Sequence, residues 1–282
     1  MSGRTDPSAV GWLHQTGRFF DVSVICSVLR ASMQTRSPVL RPHIFASVPS
    51  VTAGVSTRHG GVSSPPYDTL NLGRHVGDDP SCVEENRRRF CAALDTDPAW
   101  LATAGQVHGS TVRVIDAPRH EPFCDGLVTT TPGLLLAIAT ADCAAVLLAD
   151  PVNGVAAACH AGWRGAAARI TVDTVSTMEN CGAELDELRA HVSPCISLEA
   201  FEVGPEVAAR FDDAVVHQSD GWDRPHVNLK AVLRGQLEEA GVPVDAIGVS
   251  EHSTARETDD FFSHRASGGT TGRMFGAIVL RN

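Results

Sequence analysis

The 282-residue chain is 43% hydrophobic, enough for a sizeable buried core, and this excludes disorder of the whole. A formal charge of -10 argues against a broad nucleic-acid footprint or an anionic membrane surface, because both need clustered cations. No segment approaches the roughly 20 consecutive apolar residues of a membrane span, so a small-molecule or protein partner is expected.

Residues 1 to 42 read as an irregular extension with one apolar patch, and residues 43 to 282 as a single catalytic domain. The patch from Phe19 to Leu29 follows Arg18, is interrupted by Asp21 and has no clear small-residue cleavage site after it, so a signal peptide is not expected. Ser56 to Tyr67 is a loop by its Gly and Pro content, continued by Asn71-Leu72-Gly73. Pro80 to Leu94 has helical spacing at Val83, Phe90 and Leu94, with Asp79 or Ser81 as the cap. Short apolar runs bounded by Gly, Pro and Asp predict strands at 111–115, 126–130, 134–139, 144–148 and 155–159. Amphipathic spacing predicts helices at 166–180 and 227–240. Strands and helices lack a strict βαβ rhythm, so the expected fold is α+β: mixed β-sheets packed in a layered sandwich with flanking helices.

Eight cysteines without the dense spacing of a secreted scaffold predict mostly reduced thiols in a cytoplasmic protein. Lys230 is the single lysine, so arginine, whose planar fork suits phosphate and carboxylate, carries nearly all the positive charge. Three segments each present a soft-metal ligand beside a glycine or an acid: Gly105-Gln106-Val107-His108-Gly109, Thr140-Ala141-Asp142-Cys143-Ala144 and Cys159-His160-Ala161-Gly162-Trp163-Arg164-Gly165. Two histidines and a cysteine match the three protein ligands of a catalytic zinc site that leaves one position open. Their spacing equally allows two hydrogen-bonded histidines at turn edges and an ordinary buried thiol.

From about residue 50 to its end the chain resembles the YfiH-like family, also called the laccase-domain or polyphenol-oxidase-like family, whose members are described as purine nucleoside phosphorylases. The resemblance is carried by Arg58-His59-Gly60-Gly61-Val62-Ser63, Asn71 to Pro80, Glu85-Asn86-Arg87, Gln106-Val107-His108-Gly109, Ala141-Asp142-Cys143, His160 to Gly165, Phe261 to Arg265 and Thr271-Gly272-Arg273. It implies metal ligation by His108, Cys143 and His160, with zinc expected and copper possible. It also implies phosphorolysis of adenosine, inosine and methylthioadenosine, together with adenosine deamination.

On that footing the catalytic candidates are Cys143, Asp142, Arg87 and Arg164, and the substrate-binding candidates are Arg58, Asn71 and Arg273. Asp142 reads as a proton carrier, an orienter of the ligand or an exposed turn acid. Trp163 reads as a stacking surface for a purine or a cap on the core. His59, His75 and His264 are pocket candidates, while His120, His191, His217 and His226 read as surface residues. Ser193-Pro194-Cys195-Ile196 replaces the usual Gly-Pro-Cys-Ile, Ser253 stands where a cysteine is expected, and Arg265-Ala266 replaces Arg-Arg, so specificity near the carboxy-terminal segment is open to change.

The partners implied are purine nucleosides and phosphate, with no nucleic acid or membrane, for a monomer or small homo-oligomer. Three rivals remain. A copper-dependent polyphenol oxidase is weakened because no His-x-His pair occurs anywhere, although copper outcompetes zinc in raw affinity. A cysteine hydrolase would use Cys143 as nucleophile with a histidine base. A peptidoglycan-precursor editing hydrolase, a role also attached to the family, has no separate sequence feature.

Overall fold

The computed structural model describes residues 36–282. Elements numbered in chain order are β1 (Val39–Leu40), β2 (Val51–Ser56), α1 (Pro80–Ala93), β3 (Leu101–Ala104), β4 (Val112–Val114), β5 (His120–Glu121), β6 (Gly126–Thr129) and β7 (Leu135–Thr140). They continue with β8 (Ala144–Asp150), β9 (Val155–Ala161), α2 (Trp163–Ala167), α3 (Ile170–Asn180), β10 (Arg189–Val192), α4 (Pro205–Ala208), β11 (Val216–His217) and β12 (His226–Val227). The last three are α5 (Leu229–Glu239), β13 (Ile247–Val249) and β14 (Met274–Leu280).

Two six-stranded mixed sheets, ordered β1-β2-β14-β7-β3-β5 and β13-β10-β8-β9-β6-β4, make an α+β domain. Side chains alternate across each strand, and both faces of both sheets are covered. In β8, Ala145, Leu147 and Ala149 point into a core shared with Ala53, Val55, Leu136 and Ile278 of the first sheet. Val146 and Leu148 point the other way, into a core with Ile170, Val175 and Met178 of α3 and Leu233 and Leu237 of α5. On the far side of the first sheet, Leu135, Ala137 and Val279 pack on Phe90 and Cys91 of α1. The layers are therefore α1, sheet, sheet, and α3 with α5. Double coverage is why these strands read as continuous apolar runs and not as alternating ones.

Several sequence expectations are corrected here. The proposed extension from 1 to 42 overlaps the fold, since Val39 and Leu40 pair antiparallel with Ser56 and Val55 of β2; the remainder of that reading, residues 1–35, lies outside the described residues. The helix expected at 166–180 is two helices, because Arg169 turns left-handed (φ 62°) between α2 and α3. His191 and His226, expected at the surface, are buried in β10 and β12. Burial, with the charge of His43 second, pushes the His191 pKa down to about 4. The Pro80 helix follows its reading closely: Asp79 caps it by accepting the Ser81 N–H at 2.8 Å.

Candidate active site and metal centre

The antiparallel pairing of β8 with β9 sets Ala144 opposite Ala161 and Ala145 opposite His160. Cys143, the residue before β8, thereby arrives beside His160 near the end of β9. His108 comes from the loop between β3 and β4. The ligand atoms of His108, Cys143 and His160 lie within 4.8 Å of one another, the one such His/Cys/Asp/Glu cluster among the described residues. The two imidazoles meet edge to face, with centroids 4.8 Å apart and planes at 86°.

The loop carrying His108 is held in an uncommon conformation, with Gln106 and His108 both left-handed (φ 54° and 61°). The Gln106 side chain supports it by pairing with β7 as a strand would. Its Nε2 donates to the Ala139 carbonyl at 2.7 Å and its Oε1 accepts the Ala139 N–H at 2.9 Å. Gly162 is required by proximity, since a Cβ there would sit 2.8 Å from the Cys143 sulfur and 3.5 Å from the His108 ring.

Asp125, just before β6, is the residue that sequence reasoning missed. It is 0% exposed, and its Oδ1 lies 2.9 Å from His160 Nδ1. The same carboxylate accepts the backbone N–H groups of Val107, His108 and Gly109 at 3.1, 2.9 and 2.8 Å. A lone acid beside Gly126 gives no local signal, because its partner follows only after two further strands.

Burial is the largest influence on the Cys143 thiol and raises its pKa, but hydrogen bonds from His108 and His160 and the charges of both rings together bring it down to about 6. For His160 burial again leads and disfavours the cation, while Asp125 and the Cys143 sulfur outweigh it and raise the pKa to about 9. An acid whose pKa falls is deprotonated at lower pH than usual, so the metal-free protein should hold a Cys143 thiolate at neutral pH. Ultraviolet thiolate absorbance should rise through about pH 6 and be lost in Cys143→Ala. A titration near the ordinary thiol value of about 8.5 would contradict this pairing.

A cavity of about 540 Å³ opens over the cluster. Ile196, Phe201 and Leu229 supply apolar wall, and Asp142 is its lining carboxylate. Asp142 is left-handed (φ 90°) and largely buried, with Oδ1 accepting the Thr254 hydroxyl and Oδ2 the Arg265 backbone N–H, both at 2.7 Å. Arg87 and Arg273 also line the cavity, and among the described residues neither guanidinium has a carboxylate partner. Arg87 donates twice to the Leu72 carbonyl and lies 5.0 Å over the Phe275 ring. Arg273 donates to the carbonyls of Thr271 and Gly272. Burial above all lowers the pKa of both, that of Arg87 to about 10.

Arg164, Arg58 and Asn71 lie apart from the cavity wall. Arg164 is exposed and stacks 4.2 Å over the ring of Trp163, which does line the cavity. Arg58 pairs with Asp68 at 3.1 Å and donates to the carbonyls of Asp68 and Thr258, beside a separate recess of about 180 Å³. Asn71 is buried and binds Gly73, Asp78 and the Arg273 N–H, so it fixes the loop that carries Arg74 and His75. His75 and His264 line the cavity, as does the exposed His120; His59 instead pairs with Asp260 at 2.9 Å.

Paired mixed sheets with two imidazoles and one thiolate at the floor of a cavity define a protein able to hold one soft or borderline ion in reach of a small molecule. Comparison with known proteins places the chain more narrowly. Residues 52–281 match the family described as multi-copper polyphenol oxidoreductase laccase, and the chain belongs to that family, the YfiH-like proteins. It is 44% identical over 248 residues to a purine nucleoside phosphorylase of Deinococcus radiodurans, covering 87% of this chain and 92% of that one. It is 41% identical over 238 residues to the purine nucleoside phosphorylase YfiH of Escherichia coli, covering 82% and 94%. The crystal structure of YlmD from Geobacillus stearothermophilus superposes with a TM-score of 0.81 at 32% identity, over 89% of this chain and 98% of that one.

Proposed function

We propose that this chain is a zinc-dependent purine nucleoside phosphorylase acting on adenosine, inosine and methylthioadenosine, and that the same site deaminates adenosine. The observation that carries the reading is the juxtaposition of the His108, Cys143 and His160 donors with two guanidinium groups that lack acids, buried Arg87 and half-buried Arg273, around one cavity. The names of the relatives, purine nucleoside phosphorylases at 41–44% identity, support the same reading.

The donor set fits zinc, which takes two imidazole nitrogens and a thiolate with one position left for water or substrate. A zinc ion there would supply an electrophilic centre and a bound water acidified to about pKa 7. The remaining work falls to side chains of this protein. Arg87 and Arg273 bind phosphate through charge-assisted hydrogen bonds, strengthened because no carboxylate competes for them. Ile196, Phe201 and Leu229 take the apolar faces of the purine. Asp142, fixed by Thr254 and the Arg265 N–H, is held as a hydrogen-bond acceptor that orients the purine beside the ion ligands. Seven free cysteines among the described residues support a cytoplasmic enzyme, and no helix there is long and apolar enough to cross a membrane.

Incubating the metal-analysed protein with adenosine, with and without phosphate, tests the reading by chromatography. Adenine and ribose 1-phosphate should form only with phosphate, inosine should form in both, and about one zinc per chain should be present. A metal-free protein that still turns over adenosine would overturn it. So would oxidation of a phenol in the presence of copper without nucleoside turnover.

A further inference from the structure

We propose that Asp125 is a positioning residue that fixes both histidines of the ion site at once, setting the tautomer of His160 and the backbone of the loop that carries His108. The inference rests on the ion-site reading above and deepens it.

The two carboxylate oxygens divide the work. Oδ1 takes the His160 Nδ1 at 2.9 Å together with the His108 N–H at 2.9 Å. Oδ2 takes the Val107 N–H at 3.1 Å and the Gly109 N–H at 2.8 Å. An ionised carboxylate is acceptor only, so Nδ1 of His160 must donate, and the lone pair of His160 is left on Nε2 for the ion. The main chain repeats the link, with the His160 N–H donating to the Asp125 carbonyl at 2.7 Å. The Asp125 carboxylate is itself fully buried, and its partner His160 is buried with it. The three backbone donors also hold the left-handed His108 in place against the intrinsic cost of that conformation.

Asparagine cannot replace this group although it has the same shape. An Asn side chain must turn its NH₂ toward one side or the other, and each side already presents N–H donors. With the NH₂ toward His160, the imidazole is forced to accept at Nδ1 and to carry its proton on Nε2, where the ion would bind. With the NH₂ toward Val107 and Gly109, two donors face two donors and the His108 loop loses its anchor. Either outcome weakens the ion site without altering a ligand.

The test compares wild type with Asp125→Asn, each loaded with Zn²⁺ and separately with Co²⁺. Affinity is measured by competition with a chromophoric chelator and folding by circular dichroism. The variant should fold and bind zinc about 10- to 100-fold more weakly, with a changed Co²⁺ ligand-field spectrum that a merely structural role would leave alone. Equal affinity and an identical spectrum would overturn the proposal. If the variant fails to fold, long-range ¹H–¹⁵N spectra of zinc-loaded wild type decide the matter: a proton on His160 Nδ1 and metal on Nε2 support it, and the reverse tautomer overturns it. A wild type that binds no zinc overturns the ion site itself, a different failure.

Discussion

Cys143→Ala is expected to remove the bound ion and to lower kcat/KM for phosphorolysis by about 10³-fold or more. A metal acting as a Lewis acid contributes several kcal/mol, and each 1.36 kcal/mol is about tenfold in rate. The site gives the ion little to fall back on. With the sulfur gone, His108 and His160 remain as two ligands of the three, and Asp142, the neighbouring carboxylate, is already bound to Thr254 and the Arg265 N–H. The fold should tolerate the change, because Cys143 lies just before β8 and the pairing of Ala144 with Ala161 does not depend on its side chain. The measurements are zinc per chain after purification without added metal, steady-state rates with adenosine and phosphate, and a thermal melt. A variant that keeps one zinc per chain and its rate would sink the ligand assignment. A thiol hydrolase would lose activity on this substitution without any dependence on metal, so chelation of the wild type separates the two.

The second sheet was legible at β4, β6, β8 and β9 and the first only at β7, and particular residues show why the rest was not. β8 and β9 could be read because apolar runs bounded by Gly and Asp are local signals. What local signals cannot give is which strand lies beside which. His160 and Asp125 belong together only because β6 pairs with β9, with Gly126 opposite Cys159, and no feature of the Phe123-Cys124-Asp125-Gly126 stretch announces that neighbour. The same gap explains His191: a histidine among polar residues reads as exposed, yet β10 lies between β8 and β13 inside the second sheet. The motif-borne polar residues divide for a physical reason as well. Asn71 and Arg58 occur in segments that resemble the family as strongly as those of Arg87 and Arg273, but their side chains are spent on the loop itself, through Gly73 and Asp78 in one case and Asp68 in the other. A motif therefore marks that a loop shape matters before it marks which side chain meets a ligand. Gln106 is a clear instance, since its amide closes onto Ala139 and leaves the neighbouring His108 for chemistry.

Arg273→Gln should separate phosphorolysis from deamination. Arg273 lines the cavity without a carboxylate partner, and the charges of Cys143 and Asp142 both act on it, so on the proposed reading its guanidinium would join the ion cluster to a bound phosphate. Glutamine keeps much of the length and a donor but not the charge. A hydrogen bond to a charged group is worth about 1.5–3 kcal/mol, so the KM for phosphate should rise about 10- to 100-fold. The KM for adenosine and the rate of inosine formation in phosphate-free buffer should hold within about twofold, because hydrolytic deamination needs no anion in that position and the ion ligands are untouched. The backbone N–H of residue 273 still donates to Asn71, so the loop keeps its anchor. Arg87→Gln is a poorer test, since its guanidinium also holds the Leu72 carbonyl through two hydrogen bonds and would perturb the loop together with the anion site. If phosphorolysis and deamination fall together in Arg273→Gln, the residue shapes the pocket and binds no phosphate. If neither changes, the anion is bound elsewhere, with the His75 and His120 end of the cavity the next place to look.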